Sequence, residues 1–163
     1  MSPDDTTSPA FLRRFATEWL AAWNSHDTEQ VLALTHPDVT WDDTVFWTEV
    51  IHGREALRGY IDRIWRAMPD VSFDEVQLFT APEDGRAVVL FRQEGSGPPQ
   101  LDPSRRFSTH GCDIFLKFTD GLLSHYLAQY EINDMMRQLG ALPPRNGKIG
   151  GAYLLSLLGA GQG

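Results

Sequence analysis

The stretch HGCDIFLKFTDGLLSHYLAQYEINDMMRQLG, positions 110–140, contains two alternating apolar runs joined by Thr119-Asp120-Gly121. A two-residue Asp-Gly loop favours a type I′ turn, whose twist suits a β-hairpin. With Asp120 and Gly121 at the loop, Thr119 pairs with Leu122. One face then carries Phe118/Leu123, Leu116/His125, Ile114/Leu127, Cys112/Gln129 and His110/Glu131. The other carries Lys117/Ser124, Phe115/Tyr126, Asp113/Ala128 and Gly111/Tyr130. A slip of one residue would flip every side chain of one strand and set Lys117 against Leu123 and Asp113 against Leu127, so the first register is favoured.

On this register the first face is apolar until its far end, where His110 and Glu131 oppose each other beside Cys112 and Gln129. Directly opposed Cβ atoms lie ~5 Å apart, within hydrogen-bonding reach for these side chains. Half-buried, Glu131 and His110 would form a general acid/base pair, because burial raises a carboxylate's pKa and a histidine can hold or relay the proton. The alternative is a polar strand end open to water. Phe115, Tyr126 and Tyr130 on the second face imply that it too is covered, and a two-fold dimer through the sheet would cover it. Asp113 is expected to point away from the pocket.

Working outward, Ser8 and Pro9 open a helix whose Phe11, Phe15, Trp19 and Trp23 recur every four residues. Asp27 and Gln30 make a capping-box pattern for a short helix to about Thr35. His36-Pro37-Asp38 is read as a turn. Val39, Trp41 and Asp43 share one face of a strand. Trp47 follows in an irregular aromatic rim, and residues 54–68 form a third helix ending before Pro69 and carrying Tyr60. Further strands are expected at 71–79, 87–95, 106–118 and 122–131, then a short helix capped by Asn133. This order predicts an α+β fold with helices on one face of a curved sheet. It divides the chain into a disordered N-terminus (1–7), one domain (8–140) and a flexible tail with a short apolar helix (141–163).

A net charge of −8 over 163 residues argues against a non-specific grip on nucleic acid. The longest apolar run, AYLLSLLGA, is too short to span a bilayer. Cys112 is the single cysteine, so an intramolecular disulfide and a cysteine zinc cluster are excluded, and a reducing, cytoplasmic setting is expected. No histidine pair has the helix spacing of a hydrolytic zinc site, and no phosphate loop or nucleophile elbow is present.

The segment DGLLSHYLAQYEINDMMRQLG, with AAWNSHDTEQVLALTHPDVTWDD and HGREALRGY, resembles the nuclear transport factor 2-like superfamily, in particular its SnoaL-like polyketide cyclases and limonene epoxide hydrolases. The resemblance covers about residues 10–140. It implies a cone-shaped, strongly bent antiparallel sheet around a pocket closed by the N-terminal helices, in a homodimer that needs no cofactor and no metal. In related cyclases an aspartate closing the last strand is the acid/base residue; Glu131 occupies that position here. The ketosteroid isomerase branch places its base at Asp43.

The resulting expectation is a cofactor-independent cyclase or isomerase acting on a hydrophobic, carbonyl-containing small molecule, with no nucleic-acid or membrane partner. Glu131, His110 and Asp43 would be catalytic; Trp41, Trp47, Gln129, Cys112 and Tyr60 would bind substrate. Epoxide hydrolysis is the alternative chemistry, and Arg92 turned out of the pocket would count against it. A non-catalytic binding module is the third reading.

Overall fold

The computed structural model describes residues 8–142. The expected N-terminal segment 1–7 and the apolar helix of the tail lie outside the described residues.

Helix α1 (Pro9–Asn24) starts where the sequence places it: Ser8 Oγ accepts the Phe11 N–H at 3.1 Å, and Pro9 occupies the first helical position. Its aromatic stripe is buried from Phe11 to Trp23. Asp27 caps α2 (Thr28–Ala33) by accepting the Glu29 N–H at 2.9 Å. Strand β1 (Thr35–Asp42) leads to the short β2 (Ile51–His52) and then α3 (Arg54–Ala67), which buries Leu57, Tyr60, Ile61 and Ile64. Strands β3 (Ser72–Ala81), β4 (Arg86–Ser96), β5 (Arg106–Thr119) and β6 (Leu122–Tyr130) follow, and α4 (Ile132–Gln138) closes the described chain. Asn133 is inside α4; Glu131 takes the cap position, without a side-chain capping bond.

The six strands form one curved sheet in the order β2-β1-β6-β5-β4-β3. It differs from the expectation in one pair: β1 runs parallel to β6, while the other neighbours are antiparallel. His36-Pro37-Asp38 belongs to β1 rather than to a turn. The register shift against β6 between Thr35 and Thr40 accommodates these residues, since proline donates no ladder hydrogen bond.

The β5–β6 hairpin has the expected turn, with φ of 52° at Asp120 and 76° at Gly121, both positive as type I′ requires. The register also matches from Gly111/Tyr130 to Phe115/Tyr126 and again at Phe118/Leu123. An irregularity at Lys117 sets it opposite His125, where Leu116 was expected.

The assignment of faces is corrected. Phe107, Thr109, Gly111, Asp113 and Phe115 point inward, with Tyr126 and Ala128 across from them. Cys112, Ile114, Leu116 and Leu127 form the half-buried outer face. Both faces are apolar enough to satisfy a strand pattern; the position of α1 decides between them. Trp19, fully buried, packs against Phe115 and Tyr126 and donates its indole N–H to Asp113.

The inner face is crowded at Gly111. A Cβ there would stand 2.6 Å from both Phe91 Cζ and Tyr130 Cβ. The phenyl edge can give way, but Tyr130 Cβ is anchored in the neighbouring strand. Gly111→Ala is therefore expected to lower stability by about 1–3 kcal/mol in urea unfolding. A loss within about 0.5 kcal/mol would mean that the strands separate without strain.

Candidate active site

Asp43, one residue past the end of β1, ends the buried alternation Val39, Trp41, Asp43. The chain then turns sharply: the Asp43 carbonyl accepts the N–H groups of Phe46 and Trp47 at 2.9 and 2.8 Å. This turn leaves the carboxylate inside the fold. Tyr60, from the buried face of α3, donates to Asp43 Oδ2, and Tyr130, at the end of β6, donates to Oδ1 at 2.9 Å. Burial raises the Asp43 pKa to about 7, despite the two tyrosine hydrogen bonds that favour its charged form; nearby Asp113 adds like-charge repulsion.

Asp113 lies in the same pocket. Trp19 donates to its Oδ2 at 2.9 Å and Tyr126 to its Oδ1. Burial raises its pKa to about 6, again opposed by its donors. Desolvation, followed by the adjacent carboxylates, pushes Tyr60, Tyr126 and Tyr130 upward, so these phenols remain protonated donors.

Both carboxylates line a cavity of about 40 Å³ whose walls are otherwise chiefly aromatic, with Ile64, Met68 and Gln93 among the remainder. A water needs roughly 10–15 Å³, so only a few waters or one small functional group fit. Trp41 stacks on Tyr126 with ring centroids 3.8 Å apart. Its indole N–H is buried with no hydrogen-bond partner among the described residues. The arrangement therefore offers a proton acceptor with a near-neutral pKa and a second carboxylate that tunes it.

The structure brings Asp43 and Trp41 to this cavity, and Tyr60 to it through Asp43. Trp47 instead lines a separate, more polar cavity with Tyr60, and Arg63 stands 5.0 Å over its ring. Glu131, His110, Gln129 and Cys112 are off the pocket, because His110 and Cys112 on β5 face outward together with Glu131 and Gln129 across from them. Glu131 and His110 do oppose each other, but Glu131 Oε2 accepts the His110 backbone N–H at 3.0 Å, and both residues are exposed. The expected pairing of carboxylate with imidazole is absent.

The sequence reading missed Asp113, Tyr126, Tyr130 and Gln93 as pocket residues. One signal was available: a glycine within a strand often marks close backbone approach, and Gly111 marks the crowded, inward face. Among the described residues no helix is long and apolar enough to cross a membrane.

A family model described as a SnoaL-like domain matches residues 16–126. No curated protein matches the chain. Among solved structures, TsrD from Streptomyces laurentii is 28% identical and superimposes with a TM-score of 0.67, over 83% of this chain and 98% of its own. A Catenulispora acidiphila protein with a ketosteroid isomerase-like fold, solved with trimethylamine, is 17% identical with a TM-score of 0.68, over 80% of this chain and 97% of its own. SalBIII, an epoxide hydrolase/cyclase-like enzyme with a role in pyran ring formation in the polyether salinomycin, is 21% identical with a TM-score of 0.66, over 78% and 96%. At these identities the last two show a shared fold.

Proposed function

The chain belongs to the SnoaL-like domain family, with its cone-shaped nuclear transport factor 2-like fold, and on that premise we propose a cofactor-independent acid/base enzyme acting on a hydrophobic, carbonyl-containing small molecule. The observation that carries this reading is Asp43: a buried carboxylate with a pKa near 7, held by two tyrosines beside an aromatic cavity.

Ionised Asp43 takes a proton from the carbon next to the substrate carbonyl. The C–H electron pair moves into the enolate, whose oxygen accepts the free Trp41 N–H. In an isomerisation the protonated Asp43 returns the proton to a different carbon. In a cyclisation the enolate carbon attacks a second carbonyl, and the resulting alkoxide takes that proton. Tyr60 and Tyr130 hold the carboxylate in place, and Asp113 acts as a positioning residue that keeps the Asp43 pKa high.

The test is deuterium incorporation next to the carbonyl of 2-butanone in D2O. The native protein should accelerate it, and Asp43→Asn should not. Equal exchange by both proteins would remove Asp43 as the base. Epoxide hydrolysis is disfavoured because Arg92 is exposed and paired with Glu94 at 3.5 Å, out of the pocket. A binding module predicts a hairpin end open to water, which exposed His110 and Glu131 meet, and an ordinary pKa for Asp43, which burial among the tyrosines opposes.

The outer sheet face suits pairing with a second copy. Ile114, Leu116 and Leu127 continue across β4 to Val88, and Phe79 opposite Val88 on β3 is 57% exposed. The expected dimer therefore uses this face, not the Phe115/Tyr126 face, which the helices cover. Leu127→Glu should convert a dimer into a monomer in sedimentation velocity; an unchanged sedimentation coefficient would remove this interface. The proposed place of action is the cytoplasm, where Cys112 stays reduced.

A further inference from the structure

A cavity of about 40 Å³ holds a carbonyl and its immediate neighbours but not the rest of a hydrophobic substrate. Beside it lies a second cavity of about 420 Å³, chiefly apolar with Asn133 in its wall, formed by the turn after Asp43, the end of α3, the loop around Leu101, and α4. Among the described residues, Met68 is the one side chain common to both linings. The two cavities also meet where Phe46, from the groove, packs against Tyr130, from the pocket, with ring centroids 6.4 Å apart. The same turn that aims Asp43 inward therefore places Val45 and Phe46 on the groove wall.

We infer that the two cavities are two parts of one substrate site, with Met68 as a movable partition between them. The ligand is amphipathic: a small carbonyl head lies against Asp43 and Trp41, and an extended apolar tail lies along Leu101, Met135, Met136 and Leu139. Methionine suits the partition, since its unbranched thioether turns about three bonds and adapts to irregular apolar shapes. The groove's apolar lining and its junction with the small pocket at Met68 and Phe46 favour a substrate tail as its occupant. The inference rests on the acid/base reading of the inner pocket and specifies its substrate class.

The experiment titrates the full-length protein with 2-butanone, 2-hexanone, 2-octanone and 2-decanone, reading the fluorescence of the tryptophans at the pocket. Affinity should rise with chain length by roughly fourfold per methylene once the tail enters the groove. Met136→Glu and Leu101→Glu should each flatten that slope. Met68→Ile, of similar size but stiff at χ1, should weaken the long ketones selectively. A flat slope in the native protein, or a slope indifferent to both glutamates, would overturn the inference. So would a slope seen only when Leu154, Leu155 and Leu157 are changed to Lys, because the groove would then belong to the chain's own terminal segment. Asp43-dependent exchange of 2-butanone with no slope would sink the two-part site alone. A slope without exchange would leave the groove standing and sink the acid/base reading instead.

Discussion

Asp43→Asn is expected to lower the rate of deuterium exchange at the probe ketone by about 10²–10⁴-fold, the usual contribution of a positioned general base. Two further readouts separate this result from a damaged fold. In the native protein the rate should climb with pH through about 7, because only the ionised carboxylate accepts a proton. Stability should move the opposite way. A carboxyl whose folded pKa is raised binds its proton more tightly in the native state, so its stabilising contribution is complete below the ordinary value near 4. That contribution is lost as pH rises through about 7. The full difference is roughly 4 kcal/mol, lessened in the variant because asparagine keeps only one of the two oxygens that accept tyrosine hydrogen bonds. Asp43→Asn should therefore unfold at a higher urea concentration than the native protein at pH 8 and show no such advantage at pH 4. A variant that is inactive and also less stable at pH 8 would mean that Asp43 is structural, and the proposed base would have to be abandoned.

The second large effect is expected at Trp19. This side chain is fully buried, packs on Phe15, Trp23, Trp41, Phe115 and Tyr126, and donates to Asp113. Trp19→Ala should cost about 3–5 kcal/mol through the cavity it leaves. Losing a donor to a buried carboxylate adds to that by about 1–3 kcal/mol. Trp19→Phe keeps most of the packing and removes the donor, so its cost should fall to that second contribution. It also carries a functional signature. Without the indole N–H, Asp113 holds its proton to higher pH and repels Asp43 less, so the midpoint of the exchange profile should shift downward from about 7. An unmoved midpoint would show that Asp113 does not tune Asp43.

The hairpin shows where sequence reading succeeded and where it stopped. Local chemistry fixed the turn and the register: Asp120-Gly121 supplies two positive-φ positions, and pairing Phe118 with Leu123 keeps Lys117 out of the apolar set. The outward or inward sense of each face was a different matter. Ile114, Leu127 and Cys112 on one side and Phe115, Tyr126 and Ala128 on the other both satisfy an alternating pattern. Reading the wrong side as inward carried Glu131, His110, Gln129 and Cys112 into the predicted site and Asp113 out of it. Asp43 escaped this error, since Val39 and Trp41 share its face and leave little choice about where it points.

Caps, turn residues and periodicity act over a few residues, so the four helices, five of the strands, their order, the α+β class and most of the hairpin pairing were legible from the chain alone, whereas the two-residue β2 and the start of β1 were not. Only the tertiary structure decided which sheet face became the pocket, that β1 lies parallel to β6, and that the two aspartates share one cavity. Those outcomes depend on contacts between distant segments: Trp19 reaches Asp113 across 94 positions, and Tyr130 reaches Asp43 across 87. The physical reason is that burial of the aromatic stripe on α1 selects the face, and that selection is a property of how whole elements pack.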